Sequence, residues 1–349
     1  MKLLQSKESE AFIDRCADPD GVSVKSRFWA GRTMDLTLFA VVRAADVIVG
    51  EIWAQRRAFK LAVNRWHKSD DIIAYFTDPA LFAASCSLIM WSWIYLPEKL
   101  PRAYNKWITG AAQIDPRLIE ALRKFQWGEL VYGRETGQSE LITSMCRDYS
   151  WPLVWGDPTK SIPLPCEIVH MGTGPSCEWH ALRRFGKGFV TAFAMYGGIN
   201  SVLFLMRPSI PAAKRAGLSS IRSSAFLGTF IGLFYYGVCL ARCRVGPKVL
   251  GSDAKSAQRI DGGICIGTGC ALCGWSLLLE NEGRRKDIAL FVAPRALATL
   301  LPRRYEMKGQ WKETLAFATS AAVILTCARE NPKRVRGVLG KVLGSVLSR

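Results

Sequence analysis

SSAFLGTFIGLFYYGVCLA, residues 223–241, runs from end to end without a charged side chain. As a helix rising about 1.5 Å per residue it is about 30 Å long, the thickness of a bilayer's hydrocarbon core. A surface helix of that length in a soluble domain would show a polar face, and this stretch shows none. Residues 79–97, 188–206, 262–279 and 314–328 read the same way. Five uninterrupted apolar runs predict an all-α, polytopic integral membrane protein rather than a soluble helical domain. Two further apolar segments, 35–54 and 287–301, carry charges within them and bring the expectation to 5–7 transmembrane helices.

The charged residues concentrate between the runs. Lys and Arg number 47 against 29 Asp and Glu, a net charge of +18. Basic groups stand directly beside apolar runs, as in Arg183/Arg184/Lys187, Arg242/Arg244 and Arg284/Arg285/Lys286. That placement points to membrane lipid headgroups as the partner. Nothing with base-reading spacing is present, so nucleic acid is not expected. Residues 1–34 form a polar N-terminal segment, too acidic at Glu8, Glu10, Asp14, Asp18 and Asp20 for a presequence and without a secretory apolar core. Residues 35–100 read as a first transmembrane pair, 101–187 as a soluble connector, 188–330 as a glycine-rich transmembrane bundle and 331–349 as a basic amphipathic tail. Within the connector, Asp115 and Pro116 open a helix whose Leu118, Ile119, Leu122 and Phe125 share a face. The tail repeats apolar residues at i, i+3, i+4 and i+7, a stripe that suits a membrane surface or the protein's own flank.

Three sets of residues stand out. Gly228-x-x-x-Gly232 and Gly263-x-x-x-Gly267 are candidates for helix packing, because lipid supplies no hydrophobic drive between helices and small residues let backbones approach. Arg43, Asp46 and Arg295 are candidate intramembrane charges that either line a polar path or pair. Cys166, His170, Cys177 and His180 place four soft or borderline ligands within one short stretch of chain. Zinc takes Cys and His tetrahedrally. Their spacing matches no standard zinc finger, so the expectation is no cofactor, with zinc as the alternative. No enzyme is expected: residues 262–269, GGICIGTG, lack the Lys-Ser/Thr of a phosphate loop, and no nucleophile elbow, carboxylate dyad or paired metal-binding His is apparent.

Several blocks carry a resemblance. They are Pro165-Cys-Glu-Ile-Val-His170 followed by Pro175-Ser-Cys177, Leu96-Pro-Glu-Lys-Leu-Pro-Arg-Ala-Tyr-Asn-Lys-Trp-Ile108, Trp155-Gly-Asp-Pro158, Arg222-Ser-Ser-Ala-Phe-Leu227 and Arg284-Arg-Lys-Asp-Ile-Ala-Leu-Phe-Val-Ala-Pro-Arg-Ala296. In their order along the chain they resemble the transmembrane-protein-135-like family, in its fungal branch. The resemblance implies a multi-spanning peroxisomal membrane protein, or a mitochondrial one, that supports lipid or metabolite handling or organelle dynamics. It also implies a C-terminal half related to the glycine-rich mitochondrial import translocase and peroxisomal membrane protein superfamily. Expected partners are membrane lipids, other membrane proteins or a second copy. A transporter or pore and a subunit of a mitochondrial import translocase are the alternatives. The chain departs from the family at Met171, where the family usually has Pro, and no catalytic residue carries over.

Overall fold

The computed structural model describes residues 33–206, 209–302, 305, 307–331 and 334–347. Nearly all of the polar N-terminal segment lies outside the described residues. The described chain is all-helical, with no strand among those residues. Its described residues divide into two compact units, 71–289 and a second formed by those before 71 together with those after 289. The connector therefore belongs to one unit with the helices of the bundle as far as residue 289, and segment 35–100 is shared between units.

Three helical stretches are long and apolar enough to cross a bilayer: Lys68–Tyr95, Ile210–Arg244 and Ala254–Leu279. The expected 188–206 run is helical within a 30-residue helix, though several of its side chains lie outside the described set. Run 314–328 is helical too, but charges at Lys312, Glu313, Arg329 and Glu330 confine it on both sides.

In the larger unit, α1 (Lys68–Tyr95) runs into a turn and then α2 (Arg102–Ala112). The connector follows as α3 (Pro116–Trp127), α4 (Ser139–Asp148) and the single turn α5 (Glu167–His170). Helix α3 begins as its sequence dictates: Asp115 accepts from the Arg117 backbone N–H at 2.9 Å, Pro116 occupies the first turn, and Gly128 closes the helix at φ 74°. Its Leu118, Ala121 and Phe125 join Leu130, Tyr132, Ile142, Met145, Leu164 and Ile168 in one core, completed by Ala257.

Helices α6 (Cys177–Met206) and α7 (Ile210–Cys239) form an antiparallel pair. A π-helical turn, Leu240–Arg244, ends α7. Two short helices, α8 (Gly246–Leu250) and α9 (Ala254–Arg259), lead to a second π-turn at Ile260–Ile264 and to α10 (Cys265–Cys273). Large apolar side chains on the outside of α6, among them Val190, Phe193, Ile199, Val202 and Leu205, are exposed. A run of that kind marks a face for a protein partner or a membrane.

Glycine does bring α6 and α7 together at the expected pair. A Cβ on Gly228 would come within 2.9 Å of the Phe185 carbonyl oxygen, and one on Gly232 within 3.2 Å of Phe185 Cβ. The second expected pair behaves differently. Gly263 sits at φ 148° inside the π-turn, and a Cβ on Gly267 would meet nothing nearer than 3.9 Å. The close crossing of α7 and α10 is made instead by Gly237 and Gly269: a Cβ on the first would lie 2.8 Å from the Cα of the second.

The basic groups beside the apolar runs do not all face outward as the sequence suggests. Arg184 is buried, donates to the carbonyls of Ala112 and Gln113, and lies over the Tyr235 ring at 4.5 Å. Arg285 donates to the carbonyls of Glu280 and Leu278 at 2.7 and 2.6 Å. These guanidinium groups satisfy carbonyls left without helical partners.

In the smaller unit, α11 (Glu282–Leu300) enters from the other unit, while α12 (Met34–Ala62), α13 (Gln310–Glu330) and α14 (Gly337–Leu347) complete it. Val47, Ala328 and Val335 form a small core, with Leu339 and Leu343 of the tail packed on it. The described part of the tail thus lies on the protein's own flank. The three candidate intramembrane charges are all engaged here. Asp46 pairs with Arg336, Arg295 pairs with Asp35 at 2.5 Å, and Arg43 donates to the Arg336 carbonyl at 3.4 Å while lying over the Phe39 ring.

Candidate functional site

The connector loop and the end of α7 converge on one point. Cys166 precedes α5 and His170 ends it, four residues apart and so on one face of the turn. Met171 then takes a left-handed conformation at φ 48°, followed by Gly172 at 78° and Gly174 at 103°. This curl returns the chain so that Cys177, the first residue of α6, faces Cys166. Proline cannot adopt a left-handed φ, because its ring fixes φ at about −65°. The loop that aims His170 therefore depends on Met171 at the position where the resemblance leads one to expect Pro. The Met171 sulfur also accepts from the Asp115 backbone N–H at 3.3 Å, tying the curl to the start of α3.

Three of the four predicted ligands meet, and the fourth is replaced. The sulfurs of Cys166 and Cys177 are 3.9 Å apart, those of Cys166 and Cys239 are 3.8 Å apart, and Cys239 Sγ lies 3.5 Å from His170 Nε2. All four donor atoms lie within 4.8 Å of one another. His170 Nδ1 is 2.6 Å from the Gly174 carbonyl oxygen, to which it donates, and Nε2 faces the sulfurs. His170 and Cys239 are buried, while Cys166 and Cys177 are half-buried.

His180 stands behind this set rather than in it. Its ring is fully buried and stacks on His170 at a centroid distance of 4.7 Å, with Tyr235 meeting it edge-on. Its Nδ1 approaches Thr173 Oγ1 at 3.2 Å. Burial first, then the neighbouring His170, Arg184 and Arg183, push its pKa down to about 3, so the ring is neutral. It supports His170 as a flat apolar wall. Cys239 takes its place as the fourth donor. Sequence spacing does not reveal this, because Cys239 lies 73 residues from Cys166, in an apolar run where free Cys usually acts as a small hydrophobe.

Beside the cluster lies a second group that spacing did not reveal. Arg242, in the π-turn after α7, makes two bonds to Asp261 in the next π-turn, 2.5 Å from Nε and 2.9 Å from Nη2. Nη2 also donates to the Leu164 carbonyl at 3.0 Å. Tyr132 donates its hydroxyl proton to Asp261 at 2.5 Å and accepts from the Leu164 N–H at 3.1 Å. Burial, reinforced by the Asp261 carboxylate, holds the Tyr132 phenol far above its ordinary pKa, so it remains a donor. Both charged side chains are almost fully enclosed, at 7% and 3% exposure. This overturns the expectation that Arg242 reaches for lipid headgroups. The signal was present in sequence as opposite charges at the ends of two consecutive apolar runs.

Chemically, three sulfurs and one imidazole nitrogen at these separations can share a single cation, or two of the sulfurs can join as a disulfide. The Cys239 sulfur as a hydrogen-bond partner and burial push the Cys166 thiol up, against Cys243 and Arg242, which pull it down. Comparisons with protein-family models, with curated proteins and with solved structures found no match to this chain.

Proposed function

We propose that this protein is a multi-spanning component of an organelle membrane, with the peroxisome as its home, and that it supports lipid or metabolite handling or organelle dynamics through helix packing and partner binding. The observation that carries the membrane part is the set of three helical stretches long and apolar enough to cross a bilayer. The exposed apolar side chains of α6 add to it, and with α6, α13 and the two charge-bearing segments the count reaches the proposed 5–7 spans. The organelle and the lipid role rest on the residue blocks quoted above. A transporter or pore is less well supported, since Arg43, Asp46 and Arg295 are engaged within the protein instead of lining an open path.

The test is location of the tagged full chain against peroxisomal and mitochondrial markers, combined with carbonate extraction of the membranes. The expected result is a carbonate-resistant peroxisomal signal. A carbonate-resistant signal in the mitochondrial inner membrane would transfer the proposal to an import-translocase subunit. Release into the carbonate supernatant would overturn the multi-spanning reading.

A further inference from the structure

We infer that Cys166, His170, Cys177 and Cys239 hold one zinc ion, and that this ion fastens the connector to the end of α7. The inference stands apart from the choice of organelle. It rests first on distances. Zinc binds thiolate sulfur at about 2.3 Å and imidazole nitrogen at about 2.0–2.1 Å. Tetrahedral angles of about 109° then require sulfur pairs about 3.8 Å apart and a sulfur–nitrogen pair about 3.5 Å apart. Three of the six donor pairs lie at 3.8, 3.9 and 3.5 Å, and all six lie within 4.8 Å, so a small inward shift of the donors closes the set around one ion. A disulfide, by contrast, needs sulfurs about 2.0 Å apart.

The second support is how the imidazole is held. A zinc-binding His donates its remote N–H to a carbonyl or carboxylate, which fixes the tautomer and the ring's direction. His170 does this with Gly174, through a loop whose left-handed residues curl that carbonyl back onto the ring. The mixture of three sulfurs and one nitrogen favours zinc over calcium or magnesium, which take oxygen ligands.

The third support is the choice among five donors. Cys243 also interacts with the thiols of Cys166 and Cys177, yet it is exposed and lies outside the set of four mutually close donors. With four protein ligands the ion has no open position, which is the arrangement of a structural site rather than a catalytic one. Three ligands come from the connector and the first residue of α6, and the fourth from the last residue of α7. The ion therefore joins segments that the whole of the α6–α7 pair separates in sequence. A cavity of about 290 Å³ lined by Cys166, Cys243, Arg242 and Asp261 borders the cluster on the Cys166 side.

The experiment uses the full chain purified in detergent under reducing conditions, with metal content measured by mass spectrometry and with cobalt substituted as a spectroscopic probe. The expected result is one zinc per chain, and visible absorption from the cobalt form characteristic of tetrahedral thiolate ligation. Cys166→Ser and Cys239→Ser should each lower zinc occupancy at least tenfold at a fixed free-zinc concentration, while Cys243→Ser retains it. Should the ligand variants fail to fold, the wild-type chain still decides. A chelator should release the ion and expose the connector to protease, and zinc alone should restore protection. A folded wild-type chain without stoichiometric zinc overturns the inference, as does a disulfide between any two of these cysteines in the native protein. Zinc that survives Cys239→Ser but is lost in Cys243→Ser overturns the assigned ligand set.

Discussion

Asp261→Asn lowers the stability of the larger unit by about 3–5 kcal/mol, the usual consequence of removing one partner from a buried ion pair. The size of the effect follows from what remains. Arg242 keeps its positive charge in a site where it is 7% exposed, with only neutral acceptors left, the Leu164 carbonyl and one asparagine amide oxygen, while the new amide NH2 faces the guanidinium. Tyr132 loses the carboxylate that receives its proton, and the hydrogen bond from the Leu164 N–H loses the partner that fixed its acceptor. The two π-turns that this pair joins would then separate. The measurement is thermal unfolding of the purified chain in detergent, with protease cleavage of the connector as a local reading. Replacing both partners separates charge from packing. Arg242→Met with Asp261→Leu should recover most of the loss, because an apolar pair leaves no uncompensated ion in the interior. If Asp261→Asn is as stable as the wild type, the pair is solvated in the working protein and the enclosed arrangement described here is wrong.

The same pair shows what a sequence can and cannot display. The helices were legible because their causes are local: runs without charge, an Asp-Pro opening and a Gly close around Pro116–Trp127, and a four-residue step from Cys166 to His170. Three of the four cluster ligands were legible for the same reason. Cys239 was not, since nothing near it in sequence distinguishes a ligand from a thiol filling space in an apolar helix. Arg242 misleads because a basic residue at the end of an apolar run usually does meet headgroups. Its partner lies 19 residues away, beyond two short helices. His180 misleads in the opposite sense: it sits three residues after Cys177, on the turn where a ligand would be expected, but α6 directs its ring behind His170. Spacing fixes which residues share a face, while the fold decides which face is used.

Glycine substitutions give the sharpest contrast between motif and fold. Gly237→Ala and Gly269→Ala each destabilise the bundle by about 1–3 kcal/mol, the range for forcing extra volume into a packed interior. A Cβ on Gly269 would lie 2.7 Å from the Phe234 carbonyl oxygen, and one on Gly237 would lie 2.8 Å from Gly269 Cα. Both obstacles are backbone, so no side chain can turn aside, and α7 and α10 must move apart. Gly274→Ala is more severe, since its Cβ would come within 2.3 Å of Ala83 Cα. Gly267→Ala is the control. It belongs to the four-residue glycine motif, yet its nearest neighbour would be 3.9 Å away. Alanine there adds ordinary contact and gains up to about 1 kcal/mol of helix propensity. Detergent-solubilised variants compared by thermal unfolding give the order directly: Gly274→Ala lowest, Gly237→Ala and Gly269→Ala below wild type, and Gly267→Ala at or above it. If Gly267→Ala falls while Gly269→Ala does not, the helices cross through the sequence motif and not through the contact seen here. Membrane helices without a hydrophobic drive between them depend on such approaches, so that order reads out which helix faces meet.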